Sequence, residues 1–130
     1  MSTNHRLKLI GLMLYAGEGA KTGNTVDFIN TNPILVAAFT AFLRDCCQID
    51  ENRLKFYLYC FEDQSVNELI QFWCDRLNVS PQQFTKPYIR KVFNKRNRIS
   101  AYGVIHVRYS SKELLQRILR EINNTLKRFG

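Results

Sequence analysis

Apolar residues recur along this chain at two spacings, one suited to a helix and one to a strand. From about Leu7 to Ala16, Leu7, Ile10 and Leu14 fall at helical intervals, while Leu9, Leu12 and Met13 fill much of the remaining circumference. A helix that is apolar almost all round is buried on more than one side. The run Gly17 to Gly23 ends it, and NTVDFIN, residues 24–30, alternates Val26 and Phe28 in strand fashion. Asn32-Pro33 then supplies an N-cap and a first-turn proline for a helix through PILVAAFTAFLRDCC. The clearest period of two lies in RLKFYLYCF, residues 53–61, with Leu54, Phe56, Leu58 and Cys60 on one side and Arg53, Lys55, Tyr57 and Tyr59 on the other.

Ser65 opens a further amphipathic helix, with Glu68 three residues on as a capping box and Leu69, Ile70, Trp73 and Leu77 as its core stripe. Asn78 to Pro81 closes it. The next segment reads as extended chain, a polar basic loop, and a strand from about Ala101 to Tyr109. A last helix, Ser111 to about Arg128, directs Leu115, Ile118, Leu119, Ile122 and Leu126 inward. With no low-complexity linker and no repeat, residues 1–130 form one α+β domain, a small, largely antiparallel sheet covered by helices.

Composition narrows the functional classes. Nineteen Lys and Arg against eleven Asp and Glu give a formal charge of +8 over 130 residues. Such a surplus attracts polyanions on whichever face it concentrates, and acidic lipid satisfies the same arithmetic as nucleic acid. Cys46, Cys47, Cys60 and Cys74 form no CxxC pair and lie in or beside apolar segments, which suits reduced core thiols better than a zinc site or a disulfide framework. No signal-length apolar run and no membrane-spanning stretch is present, so an intracellular location, cytoplasmic or organellar, is expected.

The segment GLMLYAGEGAKTG, Gly11 to Gly23, carries the candidate chemistry. A glutamate at a helix C-terminus opposes the helix dipole by about 0.3–1 kcal/mol, so a positive neighbour would repair its placement. Glu18 is either a solvent-facing turn residue or a carboxylate ligand of a divalent ion bound jointly with a phosphate. Lys21, three residues on, either compensates charge in the turn or neutralises phosphate during hydrolysis.

The run AGEG, Ala16 to Gly19, after an apolar helix resembles the LAGLIDADG homing endonucleases, whose motif helix commonly finishes in Asp-Gly or Glu-Gly. Matched from that end, Gly11 to Gly19 covers the nine motif positions and Glu18 falls on the metal-binding acid. VDFINTNPILVAAFTAFLRDCCQI resembles the strand, polar turn and helix that follow in many members, and YGVIHVRYSSKELLQRIL the closing strand and helix. The chain departs from the family in carrying Met13 at the usually small third position and Ala16 at the often acidic sixth. Its short path from Gly19 to Val26 leaves little room for the usual first hairpin, and the helix at 65–77 is additional. With a single motif copy, the resemblance implies a homodimer seamed by the motif helix through Leu7, Ile10, Gly11, Leu14 and Gly17. It also implies Mg²⁺ or Mn²⁺ held by Glu18 from each chain, and a roughly palindromic double-stranded DNA target.

The basic residues add a second line of argument. Lys86, Arg90, Lys91, Lys95, Arg96 and Arg98 fall within residues 84–100 with no acidic residue among them, a density that can follow a sugar-phosphate backbone. Arg53 and Lys55 can reach phosphate or base edges from the sheet, with Tyr57 and Tyr59 as polar-tipped contacts. On the last strand His106 and Arg108 are expected on the same side as Tyr102, facing phosphate. Trp73, at helical spacing with its apolar neighbours, reads as a core anchor. The leading expectation is a metal-dependent DNA endonuclease. Its alternatives are a non-catalytic, sequence-specific DNA-binding module of the same fold and a basic structural protein whose partner is another protein.

Overall fold

The computed structural model describes residues 3–91 and 101–129. Within them, helix α1 (Thr3–Glu18) is followed by strand β1 (Thr25–Asn30), helix α2 (Pro33–Cys46), strand β2 (Leu54–Phe61) and helix α3 (Val66–Leu77). A short strand β3 (Tyr88–Arg90), strand β4 (Val104–Ser110) and helix α4 (Lys112–Leu126) complete the order. The protein is α+β, as the hydrophobic spacing predicts. The sheet order is β1-β4-β2-β3; β4 is antiparallel to both its neighbours, whereas β3 runs parallel to β2.

Local signals explain most element ends. Asn32 accepts the Ile34 amide at 2.9 Å and Pro33 occupies the first turn of α2. Ser65 accepts the Glu68 amide at 3.4 Å at the start of α3, and Asn78 ends that helix in the left-handed region at φ 53°. The reciprocal capping box expected at Ser65 is formed instead at Ser80, whose backbone N–H donates to the Gln83 side chain at 3.0 Å. The extended chain expected from Gln82 onward begins instead within a 3-10 turn, Pro81–Gln83, before the chain straightens into β3.

One sheet face is the core floor. Val26, Phe28, Leu54, Phe56, Leu58, Ile105 and Val107 are completely buried there, beneath Tyr15 of α1, Phe39 and Leu43 of α2, and Trp73 of α3. Phe28 and Phe39 stack with centroids 4.5 Å apart. Trp73 is the anchor its spacing suggests, and its indole N–H donates to the Tyr102 carbonyl oxygen at 2.9 Å. Cys47, Cys60 and Cys74 are buried, Cys46 is half-buried, and all four thiols are free. Burial pushes the Cys47 thiol up to about 11 despite the nearby Arg117 charge, so it is an inert apolar group at neutral pH.

Two expectations of side-chain direction fail. Leu126 is 45% exposed, one turn beyond Ile122, the last buried residue of α4. Tyr102 does not share the outward face of His106; it stacks on Phe72 of α3 with centroids 4.1 Å apart. The strand alternation cannot extend back to residue 102 because Gly103 adopts φ +76° and turns the chain just before β4 begins. A side chain at Gly103 would also meet the Tyr59 carbonyl oxygen at 2.7 Å.

Candidate nucleic-acid interface

Alternation along the strands puts a second set of residues on the sheet face opposite the core, and strand register arranges them in rows. Asp27, Arg108 and Lys55 are neighbours across β1, β4 and β2; Ile29, His106 and Tyr57 form the next row; Val104, Tyr59 and Tyr88 the one after. Arg90 faces Phe61 at the far end. Among the strand positions of this face, Asp27 alone is acidic.

Asp27 organises the centre of the face, and the sequence reading did not single it out. Its Oδ1 lies 3.0 Å from His106 Nδ1, and its Oδ2 accepts Arg108 Nε at 3.0 Å. Burial alone would raise the Asp27 carboxyl, but the hydrogen bond from His106 and the charges of His106 and Arg108 outweigh it and hold the group below the usual carboxylate range. Burial likewise works against the charge on Arg108, and the facing Asp27 charge, with Tyr57 and the hydrogen bond to Asp27, more than restores it. The Arg108 guanidinium lies over the Tyr57 ring, 4.0 Å from its centroid, a cation–π arrangement that fixes its plane. His106 and Tyr59 are ring neighbours at 4.8 Å, and Tyr59 continues to Tyr88 at 5.1 Å. The only available signal for Asp27 was an outward acid in a strand of a strongly basic chain.

The other basic residues divide. Lys55 is half-exposed and lines a hollow of about 260 Å³ with Thr25, Asp27, Arg53, Tyr57, Arg108 and Ser110. Arg53 is exposed at the strand end, donating to the Ser110 carbonyl oxygen and lying 4.8 Å from the Tyr109 ring centroid. Lys86, Arg90 and Lys91 are exposed along and beside β3. Lys95, Arg96 and Arg98 lie outside the described residues.

The end of α1 borders the same sheet at its β1 edge. Gly19 makes a bridge to Phe28, and the Ala20 amide donates to the Asp27 carbonyl oxygen at 2.9 Å. These contacts form a rudimentary first hairpin, where the short path to Val26 had suggested little room for one. Tyr15, fully buried, locks the junction: its hydroxyl donates to the Ala20 carbonyl oxygen at 2.6 Å and accepts the Asp27 amide at 3.1 Å. The two glycines flanking Glu18 differ in kind. A Cβ at Gly19 would lie 2.4 Å from the Tyr15 ring, whereas one at Gly17 would meet nothing within 4 Å.

Glu18 is exposed, and among the described residues its carboxylate makes no ion pair or hydrogen bond. Lys21 does not turn back to it; the ammonium donates to the Gly19 carbonyl oxygen at 2.5 Å. Among the described residues no three His, Cys, Asp or Glu side chains form a metal-binding group.

The residues of the expected seam along α1 are placed differently within one copy. Gly11 is buried within its own chain, where a Cβ would lie 2.0 Å from the Phe42 ring, so it is the contact point of α1 with α2. Leu7 and Leu14 are half-buried against the core. Ile10 and Met13, 43% and 38% exposed, and the open Gly17 make up the outward stripe. Among the described residues no helix is long and apolar enough to cross a membrane. Compared with protein-family models, curated proteins and solved structures, the chain finds no match.

Proposed function

We propose that this protein binds double-stranded DNA as a homodimer across the open face of its sheet, and that it cleaves the duplex with a divalent ion held by Glu18. The observation that carries the binding is the face itself. Lys55, Arg108 and Arg90 stand beside Tyr57, Tyr59 and Tyr88 on a surface the core does not use, in a chain of net charge +8. The outward stripe of Ile10, Met13 and Gly17 supports pairing of two copies through α1.

Cleavage rests on Glu18. Mg²⁺ is commonly held by only one or two carboxylates, with phosphate and water completing its shell, and an exposed carboxylate without a partner among the described residues suits that role. Asp27 suits it poorly because its two oxygens are already engaged by His106 and Arg108. A bound ion would make water nucleophilic and neutralise charge on the phosphate. Glu18 supplies the anionic ligand, while the basic face positions the duplex.

The test is incubation with a randomised duplex library, with and without Mg²⁺ or Mn²⁺, followed by recovery of bound DNA and sequencing of ends. Salt-dependent binding with recurrent ends supports the full proposal. Binding without metal-dependent ends identifies the non-catalytic module, and no duplex binding at low salt rejects both.

A further inference from the structure

A surface built only to hold phosphate has no use for a carboxylate at its centre, because Asp27 repels the backbone it would face. Its position acquires a purpose if it orients Arg108. Oδ2 fixes Nε of the guanidinium at 3.0 Å, and the Tyr57 ring supports the plane from beneath, 4.0 Å from the guanidinium carbon. His106 is a weak competitor for the terminal nitrogens. Its Nδ1 is 3.0 Å from Asp27 Oδ1 but 3.4 Å from Arg108 Nη2, so a proton on Nδ1 serves the carboxylate and leaves that nitrogen nothing to accept with. The assembly is held across three strands by the register Asp27–Arg108–Lys55, and the Arg108 side chain keeps 29% of its surface exposed.

A fixed guanidinium that keeps part of its surface exposed matches one base edge better than any other, the paired N7 and O6 acceptors of guanine in the major groove. We infer that Arg108 reads a guanine in each half of the target and that Asp27 is its positioning residue, with Tyr57 as the platform. This rests on the reading of the open face as a duplex-binding surface. Lysine would keep the charge of Arg108 but lose the planar fork, so Arg108→Lys separates base reading from phosphate attraction.

The experiment selects bound duplexes from a randomised library with the full-length parent, Arg108→Lys and Asp27→Asn proteins, using thermal melting to establish that each is folded. The parent is expected to fix a guanine at one position of each half-site. Arg108→Lys should lose it while other positions persist, and Asp27→Asn should broaden that position. Replacing that guanine by 7-deazaguanine should weaken the parent about tenfold, the lower range for losing part of a bidentate pair, and should leave Arg108→Lys indifferent. The deaza-substituted duplex needs no variant, so it decides the matter even where a substitution prevents folding. A guanine retained by both variants, or a parent indifferent to 7-deazaguanine, overturns the inference and leaves duplex binding standing. A parent that binds no duplex overturns both.

Discussion

Tyr15 and Asp27, twelve residues apart in the chain, are joined by a hydrogen bond from the Asp27 backbone N–H to the Tyr15 hydroxyl at 3.1 Å. The same hydroxyl donates to Ala20, so one buried phenol ties the end of α1 to the strand that carries the central carboxylate of the open face. Burial pushes this phenol above its ordinary value against the hydrogen bond from the Asp27 amide, which keeps it the neutral donor that Ala20 requires. Replacing Tyr15 by Phe leaves the ring packing with Phe39 in place but strips partners from a carbonyl and an amide. A loss of about 1–3 kcal/mol is expected in urea unfolding. Faster exchange of the Asp27 and Ala20 amides than of those in α4 would locate the damage; uniform protection would contradict this account of the junction.

The α1 helix separates two roles that its sequence blends. Gly11→Ala must displace the Phe42 ring, and overpacking of this kind costs about 1–3 kcal/mol, so the variant should melt lower without altered association. Met13→Lys should do the reverse, leaving the core intact while placing like charges on the outward stripe of two facing copies. In sedimentation velocity the parent should run at twice 15.3 kDa and Met13→Lys at the monomer mass. A monomeric parent, or a dimer untouched by Met13→Lys, removes α1 as the seam.

Acid should weaken the open face through Asp27. Its folded carboxyl lies below the ordinary range because the hydrogen bond from His106 and the charges of His106 and Arg108 prevail over burial. A depressed folded value gives stability that is fully present above the unfolded carboxylate value of about 3.9 and is lost as pH falls through the folded one. The melting temperature of Asp27→Asn should therefore trail the parent at pH 6, and the gap should close as both are taken below about pH 4. A gap independent of pH would show that the Asp27 charge contributes nothing to folding.

These residues also mark what the sequence could convey. The alternation of residues 53–61 separates buried Leu54, Phe56, Leu58 and Cys60 from Lys55, Tyr57 and Tyr59 because a two-sided strand has no other way to satisfy a core and a polar face. The packing of Gly11 on Phe42 was not legible because apolarity all round a helix reports burial but not which neighbour supplies it. β3 escaped notice for a related reason: its three residues are all exposed, so no hydrophobic alternation records its parallel pairing with β2. Asp27 becomes informative only once register sets it beside Arg108, an adjacency spanning 81 positions of chain.

Glu18 provides the decisive test of catalysis. Its carboxylate is exposed beside a helix end that Tyr15 and Gly19 hold against β1, and Lys21 is engaged with a backbone oxygen rather than with the acid. Glu18→Gln keeps approximate size and hydrogen-bonding capacity but removes the anionic oxygen that a hard cation favours. Folding should be unaffected, since the side chain packs against nothing that the core requires. Binding of a selected duplex in metal-free buffer should match the parent or tighten slightly, because one repulsion with phosphate is gone. Single-turnover cleavage of that duplex at saturating protein and Mg²⁺ should fall by about a hundredfold or more, as both water activation and stabilisation of developing charge are impaired. Equal cleavage by parent and variant would remove Glu18 from the chemistry. Binding by both with cleavage by neither would make the open face the whole of the function, with the carboxylate at the end of α1 a solvent-facing turn residue.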